Sequence, residues 1–265
     1  MRPGIETLRS LPLFSAFNAS LLGRLNEASD LARFGPNETL VNEGDQTDEL
    51  IILLSGYVAT ARSQPGGGEA PTDVIAPVRP IGFAAALLGL AAPVAARTVT
   101  SARLVIVPIQ ELRTMLVAEP RLGLPFLDYA LSELNERTEE VCRLKLRSAA
   151  QRLADYLLDL IEDPAASPAR FVLPYEKRFL AGRIGCSQPN LSRAFAALRP
   201  VGVSTKQGAV VVRDIAALRA FAGLARPQQA AGDTAPTAGS TPGGTVALSA
   251  SLLLGLLGPF FVTLC

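Results

Sequence analysis

The apolar residues of the chain change their spacing near Pro120, and this change constrains the fold more than any other feature. Before Pro120, short apolar runs at residues 50–54, 57–60, 74–78 and 104–107 are separated by turn formers. Such spacing is typical of a small β-sandwich or jelly roll. After Pro120, apolar residues recur in steps of three and four, which predicts a long helix. We therefore expect an α+β chain in which a β jelly roll is followed by helices.

Two smaller features refine the β region. Residues 5–30 carry leucines at helical spacing, which predicts short helices that cap a sheet. Gly56 lies between two apolar runs, where a tight hairpin requires a positive φ that glycine adopts without strain.

A stripe of mostly apolar residues runs along the long helix. Its members are Leu127, Leu131, Leu134, Thr138 and Val141. Their alternation in steps of four and three matches a coiled-coil seam, and the other side of the helix is densely charged. We interpret residues 120–147 as a dimerisation helix. The alternative is an ordinary amphipathic helix packed on its own domain.

The most specific signal lies at residues 175–198. Pro174 opens a predicted helix that ends at residue 184, a short turn follows, and a second helix runs to residue 198. Ser187 is a favourable N-cap for the second helix, and Pro189 is tolerated in its first turn. This pattern predicts a helix-turn-helix.

The second helix of the pair presents polar side chains near its beginning. They are Gln188, Asn190, Ser192 and Arg193. Arginine can donate two hydrogen bonds to guanine, and Gln or Asn can pair with adenine, in the major groove of DNA. We expect these four residues to read bases, with Arg193 as the principal reader.

Basic and polar residues surround the same helix. Those expected to contact DNA phosphates are Lys177, Arg178, Arg183, Ser187, Arg199 and Lys206. A predicted hairpin at residues 203–212 has a basic tip and would form the wing of a winged helix-turn-helix. The alternative is a plain helical hairpin with a solvated charged face.

The composition excludes several classes of function. The chain contains no His, which removes Ser/His/Asp and Cys/His catalysis and imidazole metal sites, so we do not expect an enzyme. Its three cysteines, Cys142, Cys186 and Cys265, lie far apart and form no disulfide framework, which favours a reducing compartment. The N-terminus does not resemble a signal peptide, so we expect a cytoplasmic protein.

Over about residues 5–224, the layout resembles the Crp/Fnr superfamily of bacterial regulators. The matching motifs are VNEGD at residues 41–45, LLSG at 53–56, LPYEK at 173–177, AGRIG at 181–185 and LSRAF at 191–195. The last three resemble especially the Dnr/NnrR-like branch, which responds to nitrogen oxides. The resemblance implies a homodimeric transcription activator with a cyclic-nucleotide-binding-like sensor domain. Its expected partners are double-stranded DNA, a second copy of the chain and RNA polymerase.

The chain departs from the members that bind cyclic nucleotides. Phe83 replaces the Glu of their phosphate cassette, and Arg97 comes about three to four residues after the expected arginine, so a charged nucleotide would be poorly held and cAMP is disfavoured. The corresponding effector pocket would involve Gly82, Phe83, Leu87, Leu88 and Arg97. The Ala- and Leu-rich residues 84–96 are interpreted as plain core, the alternative being the lining of an apolar pocket for haem or a hydrophobic effector.

Other cofactors and the operator are constrained in the same way. An iron-sulfur cluster is disfavoured because the first cysteine is Cys142, and haem would need a ligand other than His. Cys142 itself is expected to be a small buried hydrophobe rather than a redox sensor. Pro189 replaces a Glu that relatives use in base reading, and because Pro cannot accept a proton from cytosine, we expect an altered operator.

The end of the chain has a different composition. Residues 227–245 are rich in Ala, Gly, Thr and Pro and are predicted to be a flexible linker. Residues 246–265 carry no charge and approach the ~20 residues that cross a bilayer. This tail is interpreted either as a membrane anchor or as a disordered or aberrant extension. A lipid-anchor signal would require secretion.

The sequence thus predicts five segments. They are a sensor domain at 1–119, a dimerisation helix at 120–147, a winged helix-turn-helix at 148–226, the linker and the tail. The leading hypothesis is a DNA-binding regulator that binds a palindromic operator as a homodimer, under allosteric control from the sensor domain, in a nitrogen-oxide or redox response. The competing hypothesis is a cyclic-nucleotide or haem sensor that acts through a protein or membrane partner.

Overall fold

Eight short strands form the N-terminal part of the computed structural model, which describes residues 1–163, 168–206 and 208–223. The strands are β1 (Asp30–Phe34), β2 (Thr39–Val41), β3 (Glu49–Ser55), β4 (Val58–Ser63), β5 (Glu69–Ile75), β6 (Arg79–Ile81), β7 (Ala95–Thr98) and β8 (Ala102–Pro108). They form two four-stranded antiparallel sheets, in the orders β1-β8-β3-β6 and β2-β7-β4-β5. The predicted jelly-roll architecture is confirmed. The predicted linker and tail lie outside the described residues.

The first sheet is buried on both faces. Leu53 and Leu104 pack toward the second sheet, whereas Leu50 and Ile52 pack against helices. The helices of this part are α1 (Ile5–Arg9), α2 (Ala19–Ala28), α3 (Phe83–Leu88) and α4 (Ile109–Ala118), with a 3-10 turn at Pro12–Phe14. Alternate residues of a strand point to opposite faces, so a continuous apolar run such as β3 fits a strand covered on both sides. The prediction that the N-terminal helices cap a sheet is confirmed.

Gly56 forms the tight connection between β3 and β4. Its φ is +90°, and an added Cβ would overlap the backbone oxygen of Ser101. Only glycine satisfies both conditions, so the position that the sequence marked as a hairpin glycine has that role.

A helix of 23 residues, α5 (Leu124–Leu146), follows a 3-10 turn at Pro120–Gly123. Phe126, in its first turn, is buried and joins the core under the first sheet. Among the residues that the structure describes, no helix combines the length and apolarity needed to cross a membrane.

The C-terminal part is a small α+β unit with its own apolar core. Its helices are α6 (Ala149–Asp159), α7 (Lys177–Arg183), α8 (Gln188–Leu198) and α9 (Ile215–Ala222), with a 3-10 turn at Arg199–Val201. Its strands are β9 (Ala169–Val172), β10 (Val203–Lys206) and β11 (Ala209–Val212), in the order β10-β11-β9. The predicted hairpin at residues 203–212 is present, while β9 was not predicted. Gln207, at the tip of the hairpin, lies outside the described residues.

The first helix of the predicted pair begins later than expected, at Lys177 rather than Tyr175. The Tyr175 ring packs edge-on against Tyr57, with ring centroids 5.3 Å apart, and its hydroxyl accepts a hydrogen bond from Tyr156 at 2.9 Å. Tyr175 therefore lies outside the helix, and Glu176, with an extended backbone, is the N-cap residue.

Candidate nucleic-acid interface

Helices α7 and α8 form the predicted helix-turn-helix, and one arginine organises the turn between them. Arg152 of α6 donates hydrogen bonds to the carbonyl oxygens of Ile184 at 2.7 Å and Gly185 at 3.0 Å. It also donates to the carbonyl of Arg147, at the end of α5, at 2.6 Å. One guanidinium group therefore satisfies carbonyls at the ends of two helices, which ties the turn to the long helix.

Gly185 gives the turn its shape. Its φ is +65°, and an added Cβ would overlap the side chain of Leu144 on α5. This residue must be small because the space beside it is occupied by the long helix.

Helix α8 has one buried and one exposed side. Its buried residues are Leu191, Ala194, Phe195 and Leu198. The four predicted base readers, Gln188, Asn190, Ser192 and Arg193, are all exposed. Ser187 is the N-cap residue, although its side chain makes no capping hydrogen bond. The helix thus offers a polar side to a partner while its apolar side anchors it in the domain.

Two of the base readers are linked. Nη1 of Arg193 donates a hydrogen bond to Oδ1 of Asn190 at 3.1 Å. A guanidinium group has five N–H donors, so the other donors of Arg193 remain for guanine. The Ser192 hydroxyl is directed to the helix itself, to the carbonyl of Gln188 at 3.3 Å.

The predicted phosphate contacts fall into two groups. Lys177, Ser187, Arg199 and Lys206 are exposed, and Lys177 lies 5.3 Å from the centre of the Phe195 ring. Arg178 is also exposed, paired with Glu176 at 3.1 Å. By contrast, Arg183 is turned toward the sensor domain, where it pairs with Asp73 at 3.1 Å.

The structure adds one basic residue that the sequence did not single out. Arg213 follows β11 and lines a cleft of about 230 Å³ between α8 and the wing, together with Arg199 and Thr205. A basic residue directly after the second wing strand is the signal that would have identified it.

Helix α7 packs on strand β5 of the sensor domain. An added Cβ at Gly182 would lie 2.8 Å from the carbonyl oxygen of Pro71, so the two backbones touch. A cavity of about 250 Å³ beside this contact is lined by Arg178 and Gln188 on one side and by Arg97 on the other. We call this packing the closed arrangement. It places part of the candidate DNA-binding surface against the sensor domain.

The residues of the predicted effector pocket lie in different surroundings. Phe83 is buried and stacks on Phe126, with ring centroids 6.2 Å apart, and Leu87 packs against the same core. Leu88 is 68% exposed, and Arg97 lies on β7, facing α7. Gly82, at φ +62°, begins α3. Phe83 therefore serves the apolar core, at the position where the resemblance implies the Glu of a phosphate cassette.

The charged side of α5 packs against its own sensor domain. Arg79 of β6 pairs with Glu136, and Asp73 of β5 pairs with Arg137 at 2.8 Å. The predicted dimer stripe lies on the other side: Leu127, Leu131, Leu134 and Val141 are 54%, 52%, 62% and 47% exposed. The Thr138 hydroxyl bonds to the carbonyl of Leu134. Cys142, expected to be a small buried hydrophobe, is exposed in the single chain.

The junction of the two domains perturbs several ionisable groups. Burial, together with the hydrogen bond to Tyr175, raises the pKa of Tyr156 well above its ordinary value. Burial and repulsion from Asp155 raise the pKa of Asp159. Burial also raises the pKa of the Cys186 thiol, which disfavours its reactive thiolate form.

Comparison with known proteins identifies both domains. The family described as a Crp-like helix-turn-helix domain matches residues 151–221, and the family described as a cyclic nucleotide-binding domain matches residues 31–119. No curated protein matches the chain.

Several solved structures are similar. A candidate cyclic nucleotide binding protein from Ruegeria pomeroyi is 27% identical, with a TM-score of 0.58 over 83% of this chain and 96% of that one. A transcriptional regulator of the CRP/FNR family from Thermus thermophilus shares the fold, with 21% identity and a TM-score of 0.60 over 73% and 98% of the two chains. FixK2 from Bradyrhizobium japonicum also shares it, with 16% identity and a TM-score of 0.59 over 73% and 96%.

Proposed function

We propose that this chain, a Crp/Fnr-type transcription regulator with a cyclic nucleotide-binding domain and a Crp-like helix-turn-helix domain, binds a palindromic operator as a homodimer and reads it through α8. The observation that carries the proposal is the exposed polar side of α8, where Gln188, Asn190, Ser192 and Arg193 stand together. These side chains have the donors and acceptors that distinguish base pairs in the major groove. Lys177, Arg199, Lys206 and Arg213 would contact phosphates around them.

The exposed stripe of α5 supports the homodimer. Three leucines and a valine of the predicted seam are about half exposed in the single chain, which is unusual for large apolar residues on a long helix. A second copy would cover them with the same stripe, because a two-fold interface uses one patch on both subunits. Two recognition helices would then enter major grooves one helical turn apart.

Control by the sensor domain would act through the closed arrangement. The ion pair with Asp73 turns Arg183 toward the sensor domain, and Gln188 borders the cavity against the sensor sheet. An effector that favours separation of α7 from β5 would raise DNA affinity, and one that favours their contact would lower it. A cyclic nucleotide is not the expected effector, because Phe83 packs into the core.

The remaining parts of the proposal rest on the resemblance. The LPYEK and LSRAF motifs support a signal of the nitrogen-oxide or redox class and RNA polymerase as a partner, and the widely spaced cysteines support a reducing, cytoplasmic location. The sensor domain is proposed to end at residue 119 and the dimerisation helix at residue 147. Contact of residues 246–265 with a membrane stays a hypothesis.

Selection of bound sequences from random duplex DNA tests the proposal. We expect a palindrome with half-sites about 10 base pairs apart. Arg193→Ala should cost about 1–3 kcal/mol on the selected site and relax selection at one base pair of each half-site.

Lys206→Ala is the matched control, because it removes a cation without removing a base reader. It should weaken specific and random DNA alike and reduce the salt dependence by about one charge. If both variants lose the same affinity on specific and on random DNA, α8 does not read sequence.

A further inference from the structure

All four tyrosines of the chain line one cavity. It has a volume of about 220 Å³ and lies where the edge of the sensor sheet, α5 and the C-terminal unit meet. Tyr57 belongs to the sensor domain, Tyr129 to α5, and Tyr156 and Tyr175 to the C-terminal unit. We propose that this tyrosine cavity binds a small, uncharged, planar aromatic ligand that carries an N–H or O–H donor, and that the bound ligand stabilises the closed arrangement.

The positions of the four rings are set by aromatic packing. Tyr57 and Tyr175 meet edge to face, with centroids 5.3 Å apart, and the rings of Tyr156 and Tyr175 lie 6.3 Å apart. Tyr129 is held edge to face by Phe83 at 4.8 Å. None of the four tyrosines is fully buried, so aromatic surface remains along the cavity. A planar aromatic ring can stack on such surface at the distances that aromatic pairs prefer.

The charges around the cavity argue against a charged ligand. Three arginines and three carboxylates line it, so the formal charges cancel. The arginines are also committed: Arg137 and Arg183 both pair with Asp73, at 2.8 and 3.1 Å, and Arg79 pairs with Glu136. An anion would have to break one of these ion pairs, and a cation would lie beside three arginines, whereas an uncharged ligand leaves all of the pairs in place.

Asp159 is the reason why the ligand should carry a hydrogen-bond donor. Its carboxylate borders the cavity, and among the residues that the structure describes it forms no direct hydrogen bond or ion pair, while Arg143 and Arg183 attract it from farther away. A carboxylate oxygen accepts hydrogen bonds strongly, so a ligand with an N–H or O–H group gains a charge-assisted bond there. This is the reason for the donor in the proposed ligand class.

The cavity exists only while the two domains touch. A ligand that contacts Tyr57 on one side and Tyr175 on the other binds the closed arrangement and not a separated one, so it must lower DNA affinity. This consequence rests on the proposed function. The cavity face of α5, with Tyr129, is turned about 200° from Leu131, so pairing through the stripe leaves the cavity accessible.

Fluorine NMR of the full chain with 3-fluorotyrosine in place of tyrosine tests the site directly. The chain has four tyrosines and all of them line the cavity, so every signal is a reporter, and single Tyr→Phe variants assign the signals. Indole, catechol and nicotinamide serve as uncharged planar probes. Benzoate and benzylamine are the charged controls, and cyclohexanol is the non-planar control.

We expect saturable shifts of several signals with at least one planar probe and no saturable shift with the three controls. Ala76→Leu, which adds side-chain volume to the cavity lining, should abolish the shifts. Ala16→Leu, at an exposed site outside the lining, should leave them unchanged. The proposal is overturned if no planar probe saturates, if benzoate or benzylamine binds equally well, or if Ala76→Leu binds as the parent protein does.

Operator binding separates this inference from the proposed function. An active probe should weaken operator binding by the parent protein about 5-fold or more, and leave Ala76→Leu unaffected. Saturable shifts in a protein that selects no DNA sequence would refute the proposed function and preserve the site. If the protein selects an operator but no probe gives a saturable NMR shift, the cavity is refuted as a ligand site and the proposed function stands. If a probe strengthens operator binding, stabilisation of the closed arrangement is refuted.

Discussion

Replacing Asp73 by Asn should move the protein out of the closed arrangement and tighten its binding to DNA. The Asp73 carboxylate pairs with Arg183 of α7 at 3.1 Å, which joins the sensor domain to the helix-turn-helix, and with Arg137 of α5 at 2.8 Å, which does not. Its side chain is 14% exposed, whereas the arginines are 37% and 46% exposed. An amide of the same shape keeps the packing and removes the charge, so the effect isolates the ion pairs.

The size of the effect follows from the exposure of the partners. Exposed ion pairs contribute about 0.2–1 kcal/mol, and hydrogen bonds to charged groups contribute about 1.5–3 kcal/mol. Because Asp73 is mostly buried but solvent screens the arginines, we expect the closed arrangement to lose about 1–2 kcal/mol. That loss corresponds to a change of roughly 5 to 30-fold in the balance between the arrangements. Where the closed one predominates, the apparent operator affinity rises by the same factor.

The assay is titration of the selected operator, with Glu139→Gln as the matched control. Glu139→Gln changes the net charge by the same amount as Asp73→Asn. The side chain of Glu139 is 74% exposed, however, and its ion-pair partner, Arg143, is 3.9 Å away on the same helix. Gly182→Ala provides an independent test without any charge change, because its Cβ would press on Pro71. If Asp73→Asn binds the operator no more tightly than Glu139→Gln, the ion pair between Asp73 and Arg183 does not restrain the DNA-binding domain.

Three further changes have defined outcomes. Leu131→Asp should convert the dimer to a monomer in sedimentation experiments, because it places a charge in the proposed seam, whereas Val117→Asp, at an 82% exposed apolar residue of α4, should not. The pKa of Asp159 is raised in the folded state, so the charged carboxylate lowers the free energy of unfolding as pH rises through that pKa. Asp159→Asn should therefore raise the melting temperature near pH 7. Below the pKa of an ordinary Asp it should leave the melting temperature unchanged. Gly56→Ala should lower the free energy of unfolding by at least about 1–2 kcal/mol, the cost of a left-handed backbone, and should lower the melting temperature with it. Gly23→Ala, inside α2 with open space at its Cβ, should raise the melting temperature slightly. Equal effects of the two variants would contradict the backbone argument.

Local patterns predicted the elements well and their partners poorly. The two helices of the helix-turn-helix could be recognised because caps, turns and apolar spacing act within a few residues. Strand β9 was missed because four residues carry little periodicity, and its place is decided by pairing with β11, where Phe171 lies opposite Val210. The start of α7 was misplaced because Tyr175 is held by Tyr57, far away in the sequence.

The candidate site shows the same division. The exposed side of α8 could be predicted from its own sequence, since the buried and exposed positions of one helix follow from its period. The ion pair of Arg183 could not be predicted from the sequence, because its partner Asp73 is 110 residues away in another domain. Nor could the four-tyrosine cavity, whose members come from three parts of the chain.

The sequence by itself determined the order of the architecture: a jelly roll, a long helix with an apolar stripe and a winged helix-turn-helix. It did so because the alternation of apolar residues records which side of each element is covered. The tertiary structure alone decided that the charged side of α5 faces the sensor domain, that Phe83 completes a core, and that α7 lies on β5. These contacts join residues far apart in the chain, and their free energy depends on the shape and charge of both surfaces, which no local pattern contains.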